Sequence, residues 1–231
     1  MLRYFTLVFI VFFSSQIIFA SSIETTPTGI PLDAAWKQKI YQYAINNVKH
    51  SAWGLAHAER DYQLSHQLAN QEGITIDSDI IFAAAFLHDL GGIVPFKKEG
   101  MEHSARSVEL AEPLLQSYGF PMQKWLKVKS AILGHMFYAE PPTDFEAMVL
   151  HDADVLDFLG AISVVRMVSI TERDSWIPYL SAAMTTLNQF KTDLPNTLMT
   201  SSAKKIAAQR VIEMDQILSS LNQETWEGKA L

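Results

Sequence analysis

The sequence predicts an all-α protein built as a single compact helical bundle. Apolar residues recur at helical spacing along most of the chain, whereas the alternating pattern of a half-buried strand is essentially absent. The stretch 80–87 is apolar on every side, which is typical of a helix at the centre of a bundle. With 231 residues, of which 48% are apolar and 19% charged, the chain is long enough for one substantial core.

The N-terminus predicts an exported protein. A single positive charge, Arg3, precedes an apolar run from Phe5 to Phe13, and Ala20 stands before two serines. This order is typical of a secretory signal peptide over residues 1–20, so the predicted location is periplasmic or secreted. An uncleaved membrane anchor is the alternative, but the run is short for a bilayer span of about 20 apolar residues. After cleavage we expect no stable membrane insertion.

The helical domain is predicted over residues 33–231. Residues 21–32 are rich in Ser, Thr, Pro and Gly, a composition that predicts a flexible lead-in. Gly73 marks the end of the second helix, and Asp77 or Ser78 caps the third. The helices of this first half are predicted over residues 34–48, 51–69 and 78–88.

The second half is punctuated by glycine and proline. Gly119 ends the fourth helix, and Pro121 fits the first turn of the fifth. Pro141-Pro142 predicts a turn before a long helix. The helices of this half are predicted over residues 103–118, 121–135, 145–170 and 203–221.

Charge and cysteine content limit the possible functions. The net charge is −7, and removal of residues 1–20 leaves 17 basic against 25 acidic residues. Binding to long nucleic acid is therefore not expected, although a small anion can bind in a locally positive pocket that contains a metal ion. The absence of cysteine excludes thiolate metal sites and a cysteine nucleophile.

Histidine and aspartate residues occur on separate predicted helices. His57 lies within the second helix, His88 and Asp89 end the apolar third helix, and Asp154 lies in the long helix. Two imidazoles and two carboxylates are ligands that suit a divalent first-row ion when no thiolate is present. His88 and Asp89 would cost several kcal/mol if they were buried without partners. Their partner is either a metal ion or a polar network in the core.

Five short motifs follow one another in order: His57-x-x-Arg60, Leu87-His88-Asp89, His103-Ser104-Ala105, Ile132-x-x-His135 and Asp152-Ala153-Asp154-x-x-Asp157. This succession resembles the HD superfamily of metal-dependent phosphohydrolases, in particular its small single-domain bacterial members. The resemblance extends from about Trp53 to the C-terminal helix. It implies an HD-type helical bundle that hydrolyses a nucleotide or another small phosphoester with a metal-activated water.

The resemblance also implies roles for individual residues. His103 and His135 match positions that in other members bind substrate phosphate or a second metal ion. In the mechanism that we hypothesise, Asp89 would orient or deprotonate the attacking water, while His103 and His135 would neutralise the phosphoryl oxygens. Lys97 and Lys98 are interpreted as a solvated loop pair, with closure over an anionic substrate as the alternative. We predict one divalent ion, which can be Mn, Fe, Ni, Co or Zn, with two ions as the alternative. The implied metal ligands are His57, His88, Asp89 and Asp154.

Two positions depart from the family pattern. Gly92 replaces the lysine that two-metal members with cyclic-dinucleotide activity usually carry, which counts against that activity. Asp61 stands where the related small hydrolases usually have an apolar residue. His151 is expected either to orient Asp154 or to be a core histidine.

Two other functions are compatible with these motifs. A di-iron oxygenase of HD type is the alternative enzyme, because some HD proteins bind two irons through six such His and Asp residues. A catalytically inactive HD-fold binding protein is the alternative outside the enzymes.

Overall fold

The computed structural model describes residues 24–231 and confirms the all-α fold. Apart from an isolated bridge between Thr25 and Pro31, these residues contain no strand. None of their helices combines the length and the apolar character that crossing a bilayer requires. The predicted leader, residues 1–20, lies outside the described part of the chain. The helices are α1 Ala35–Asn47, α2 Leu55–Glu72, α3 Ser78–Leu87, α4 His103–Tyr118, α5 Trp125–Gly134, α6 Phe145–Asp157, α7 Ala161–Ser169, α8 Leu180–Asp193 and α9 Ser201–Glu224.

Helix α3 lies at the centre of the bundle. All of its residues from Ile80 to Leu87 are buried, and it packs against α1, α2, α5 and α6. Its first turn is capped by Asp77, whose Oδ1 accepts a hydrogen bond from the backbone N of Asp79 at 3.0 Å. Since α3 is enclosed on several sides, His88 and Asp89, which follow it directly, occupy fixed positions inside the protein.

Helix α6 anchors the C-terminal helix as well as packing against α2. The carboxylate of Asp152 accepts hydrogen bonds from the backbone N of Met199 at 2.9 Å and of Thr200 at 2.7 Å. His151 lies with its Nδ1 3.1 Å from Asp152 Oδ1. The structure therefore places His151 in the network that docks α9, rather than against Asp154.

The predicted long helix over residues 145–170 is wrong, because it is broken into α6 and α7. Gly160 lies in the break with a φ of +80°, which L-residues with side chains rarely adopt. A Cβ atom there would also approach Cγ of Arg210 to 3.1 Å. The pattern of apolar residues does not reveal this break, because Phe158 and Leu159 are buried like the helical residues around them.

The prediction of a flexible lead-in is wrong for residues 24–32. Ile30 and Leu32 are fully buried, and the hydroxyls of Thr26 and Thr28 donate to Glu59 Oε2 at 3.1 Å and 2.6 Å. Glu59 is itself buried on α2. This segment is thus docked onto the helix that carries His57.

Candidate metal centre

The Nε2 atom of His57 lies at the centre of a buried cluster. Its neighbours are Asp61 Oδ2 at 3.0 Å, His88 Nε2 at 3.2 Å, Asp154 Oδ1 at 3.3 Å and Asp89 Oδ2 at 3.4 Å. The Asp89 side chain is 15% exposed, and the others are at most 3% exposed. The four residues predicted from the sequence are therefore brought together, and Asp61 joins them. We call His57, Asp61, His88 and Asp154 the inner cluster.

Asp89 connects the inner cluster to a second group of imidazoles. Its Oδ1 lies 3.5 Å from His103 Nε2 and 3.6 Å from His135 Nε2, whereas its Oδ2 faces the inner cluster. The two Nε2 atoms of His103 and His135 are 3.2 Å apart. We call His103 and His135 the outer cluster.

Two of the imidazoles are oriented by the ends of their helices. His88 and His135 directly follow α3 and α5, where the last carbonyl groups lack partners within the helix. Nδ1 of His88 donates to the carbonyl oxygen of Ala85 at 2.9 Å, and Nδ1 of His135 donates to that of Ile132 at 2.6 Å. Each ring therefore turns its Nε2 toward the cluster.

His57 is oriented by a carboxylate on α6. Its Nδ1 lies 2.8 Å from Asp157 Oδ2, and the same carboxylate accepts two hydrogen bonds of 2.7 Å from Arg60. Burial opposes ionisation of Asp157, but the charge of Arg166 and the hydrogen bonds from Arg60 and His57 outweigh it and lower the pKa of Asp157. An ionised Asp157 accepts, so Nδ1 of His57 carries the proton and Nε2 keeps a lone pair in the neutral ring.

His103 has the corresponding arrangement at the start of α4. Its Nδ1 lies 2.7 Å from Oε1 of Glu102. Burial raises the pKa of Glu102, but hydrogen bonds from Ser104, the charge of His103 and a hydrogen bond from Tyr138 outweigh it and lower that pKa to about 2. All four imidazoles thus have an oxygen atom within 2.9 Å of Nδ1 and present Nε2 to the centre.

The donor set of the inner cluster fits a divalent metal ion. Both oxygens of Asp61 and Oδ2 of Asp154 are buried, and none has a hydrogen-bond donor within residues 24–231. One ligand atom from each of the four residues lies within 4.8 Å of the others. A cation satisfies the converging imidazole lone pairs and the unpaired carboxylate oxygens together. The oxygen atoms that orient each Nδ1 are also typical of metal-binding histidines.

A cavity of about 480 Å³ opens over this centre. Asp89, His103 and Asp154 contribute to its lining, and so does Lys97, which is exposed. Its aromatic walls come from Trp53, Phe137, Phe158 and Trp176.

Residues 54–159 match the family model of the HD domain. This stretch of the chain is an HD domain. A stretch of 94 residues is 29% identical to an uncharacterized protein of Clostridium beijerinckii, and this match covers 40% of our chain and 57% of that relative's length. The match covers little more than half of that relative's length, so we infer no function from it.

Two solved structures share the fold. A predicted HD-superfamily hydrolase from an uncultured Thermotogales bacterium is 24% identical, with a TM-score of 0.56 over 80% of our chain and 89% of its own. YpgQ of Bacillus subtilis, solved in complex with ADP, is 20% identical, with a TM-score of 0.60 over 81% of our chain and 97% of its own. The chain therefore has the same helical fold as these two proteins.

Several residues of this HD domain were not predicted as part of the site. Asp61 follows His57 by four positions on α2, and Asp157 follows Asp154 by three on α6, so in both pairs the helical spacing places them on one face. That spacing is the signal in the sequence from which Asp61 and Asp157 could have been predicted. Trp176 had none, since it lies in the loop between α7 and α8.

Proposed function

We propose that this protein is a metal-dependent hydrolase that cleaves a phosphoester or phosphoanhydride bond in a small anionic substrate such as a nucleotide. The observation that carries the proposal is the convergence of the inner cluster and Asp89 at the base of a cavity. Two further points support it. The fold is that of HD hydrolases, and the similar structure of YpgQ holds ADP.

The residues divide into an ion-holding group and a reacting group. His57, His88, Asp89 and Asp154 would hold the ion, which when bound supplies Lewis-acid activation of a water molecule. Asp89 is the most exposed of these four side chains and lines the cavity. It is therefore placed to orient the attacking water and to accept its proton.

His103 and Lys97 act on the substrate side. Burial lowers the pKa of His103, and the neighbouring His135 lowers it further, against the opposing charge of Asp89. Nε2 of His103 lies 3.5 Å from Asp89 and the residue lines the cavity, so we assign it to proton transfer during the reaction, with neutralisation of a phosphoryl oxygen as the alternative. The ammonium group of Lys97 is then left to bind the anionic substrate.

The outer cluster favours a second candidate, the di-iron oxygenase. The two oxygens of Asp89 are divided between the clusters, and the Nε2 atoms of His103 and His135 converge on Oδ1. Such an arrangement suits a carboxylate shared by two metal ions. In that case His103 and His135 are ligands and not proton-transfer groups.

The deciding experiment is a phosphate-release screen. The chain from residue 21 onward is purified aerobically, analysed for metals, and assayed on nucleotides and small phosphoesters with Mn²⁺, Fe²⁺, Ni²⁺, Co²⁺, Zn²⁺ and Mg²⁺. Phosphate release that is lost with a chelator and in Asp89→Ala supports the hydrolase. Two irons per chain together with no phosphate release from any substrate would establish the oxygenase instead.

We also propose that the protein is exported by the leader over residues 1–20. The mature form would then begin near Ser21, which keeps the docked segment from residue 24 onward intact. Mass spectrometry of the protein from a periplasmic or extracellular fraction should give the mass of the shortened chain. A full-length mass in the membrane fraction would favour the anchor.

A further inference from the structure

Asp61 is the least expected member of the inner cluster. Its side chain is fully buried on α2, one helical turn after His57. Its Oδ2 lies 3.0 Å from Nε2 of His57 and 3.6 Å from Nε2 of His88. Within residues 24–231, neither of its oxygens has a hydrogen-bond donor of suitable geometry. A buried carboxylate without a partner costs several kcal/mol, so this position needs a compensating positive charge.

The surrounding side chains do not supply that partner when the imidazoles are neutral. His57 and His88 direct Nδ1 to Asp157 and to the carbonyl of Ala85, so in the neutral ring, the form that binds a metal ion, each Nε2 carries a lone pair. Asp154, which belongs to the same cluster, is another carboxylate, and its Oδ2 has no donor either within the described residues. Four electron-rich groups therefore face one small space, and a cation satisfies all of them at once.

We propose that Asp61 is a ligand of the same ion as His57, His88 and Asp154. This inference rests on one part of the proposed function, namely that the centre binds a divalent ion. With Asp61, the ion is surrounded by carboxylates from Asp61, Asp89 and Asp154 and by two imidazoles. That set exceeds the four ligands of a tetrahedral zinc site, and its oxygen content favours Mn²⁺ or Fe²⁺.

The test measures the binding of Mn²⁺ to ion-free protein by chelator competition and by electron paramagnetic resonance. Asp61→Asn keeps the shape of the side chain and removes its charge. Glu59→Gln is the matched control, because Glu59 is a buried acid on the same helix that binds Thr26, Thr28 and Tyr41 instead of the cluster. Asp61→Asn should weaken Mn²⁺ binding by at least about 10- to 100-fold and alter the spectrum, whereas Glu59→Gln should do neither.

Each outcome separates this inference from the proposed function. If the wild-type protein binds Mn²⁺ and Asp61→Asn binds it equally well with the same spectrum, Asp61 is not a ligand, while the hydrolase proposal stands. If the wild-type protein binds no divalent ion, both proposals fall. Circular dichroism reports whether Asp61→Asn is folded. If Asp61→Asn is not folded, Asp61→Glu takes its place in the test, because it keeps a carboxylate at a shifted position. An Mn²⁺ spectrum of Asp61→Glu identical to that of the wild-type protein overturns the inference.

Discussion

Asp157 holds His57 in place from the side opposite the metal centre. The distance between Asp157 Oδ2 and His57 Nδ1 is 2.8 Å, and the same carboxylate forms ion pairs with Arg60 and Arg166 at 2.7 Å and 2.9 Å. Two arginines therefore fix the carboxylate, and the carboxylate fixes the tautomer and the direction of the imidazole. The position of Nε2 in the inner cluster depends on this chain of contacts.

Replacement of Asp157 by Asn is expected to weaken divalent-ion binding about 10- to 100-fold. The amide loses the negative charge that Arg60 and Arg166 neutralise, and it holds the ring of His57 less firmly. Competition with a chromophoric chelator measures the affinity. Asp144→Asn is the control, because Asp144 precedes the same helix and makes no side-chain cap bond. An affinity for the ion equal to that of wild type in Asp157→Asn would contradict this positioning role.

Replacement of His103 by Ala is expected to lower kcat for phosphate release by about 10²- to 10⁴-fold, because it removes the proton-transfer group. In the hydrolase, the metal content stays the same, since the inner cluster is intact. Elemental analysis of the same preparation checks this point. A variant that loses metal in step with activity would show that His103 is a ligand, as the dinuclear oxygenase requires.

The sequence predicted those residues of the site that belong to motifs of recognisable order and spacing. His57, His88, Asp89 and Asp154 were recognised because their motifs occur in a specific order, and the structure brings them together. Their role as ligands is still a prediction. Asp61 belongs to none of these motifs; its spacing places it on the same face of α2 as His57, but its position beside His88 depends on the packing of α2 against α3.

Features that depend on tertiary contacts were not predictable in this way. Thr, Pro and Gly in residues 24–32 indicate local flexibility, but the burial of Ile30 and the hydrogen bonds to Glu59 override it. The break at Gly160 depends on a backbone conformation and on the approach of Arg210, neither of which leaves a periodic signal. The aromatic walls of the cavity come from residues outside the helices, whose positions the sequence pattern does not encode.

The docked N-terminal segment is expected to contribute to stability. Ile30→Ala should lower the free energy of unfolding by about 2–5 kcal/mol, because it leaves a cavity in the core beneath the segment. Urea unfolding followed by circular dichroism measures the loss. Ile74→Ala is the matched control, since Ile74 is 43% exposed and should change stability by less than about 1 kcal/mol. Equal effects of the two substitutions would argue that residues 24–32 are not packed in solution.

Asp79 makes stability depend on pH at the start of α3. Its carboxylate pairs with Lys37 at 3.0 Å and Lys124 at 2.8 Å. Burial raises the pKa of Asp79, but the hydrogen bonds from Lys124 and Lys37 outweigh it, and the pKa is lowered. A carboxyl group with a lowered folded-state pKa stabilises the protein above its unfolded-state pKa of about 3.9, and this contribution disappears as the pH falls through the folded-state pKa.

Asp79→Asn is accordingly expected to reduce the free energy of unfolding by about 1 kcal/mol near neutral pH. The difference from wild type should shrink as the pH is lowered below about 4, because the wild-type carboxyl group then becomes protonated too. Urea titrations of both proteins over this pH range measure it. A difference that stays constant with pH would show that shape, and not charge, determines the effect.

Trp176 is expected to bind substrate without taking part in the reaction. Its side chain is 42% exposed, yet it lines the cavity with Trp53 and Phe158, whose ring centroids lie 6.0 Å and 6.2 Å away. Trp176→Ala should raise KM about tenfold and leave kcat nearly unchanged, because the ring supplies contact area equally to the ground state and the transition state. Trp226→Ala is the control, since Trp226 is 73% exposed and is not among the residues that line the cavity. A fall in kcat without a change in KM would contradict this prediction, because it would show that Trp176 acts close to the reacting atoms.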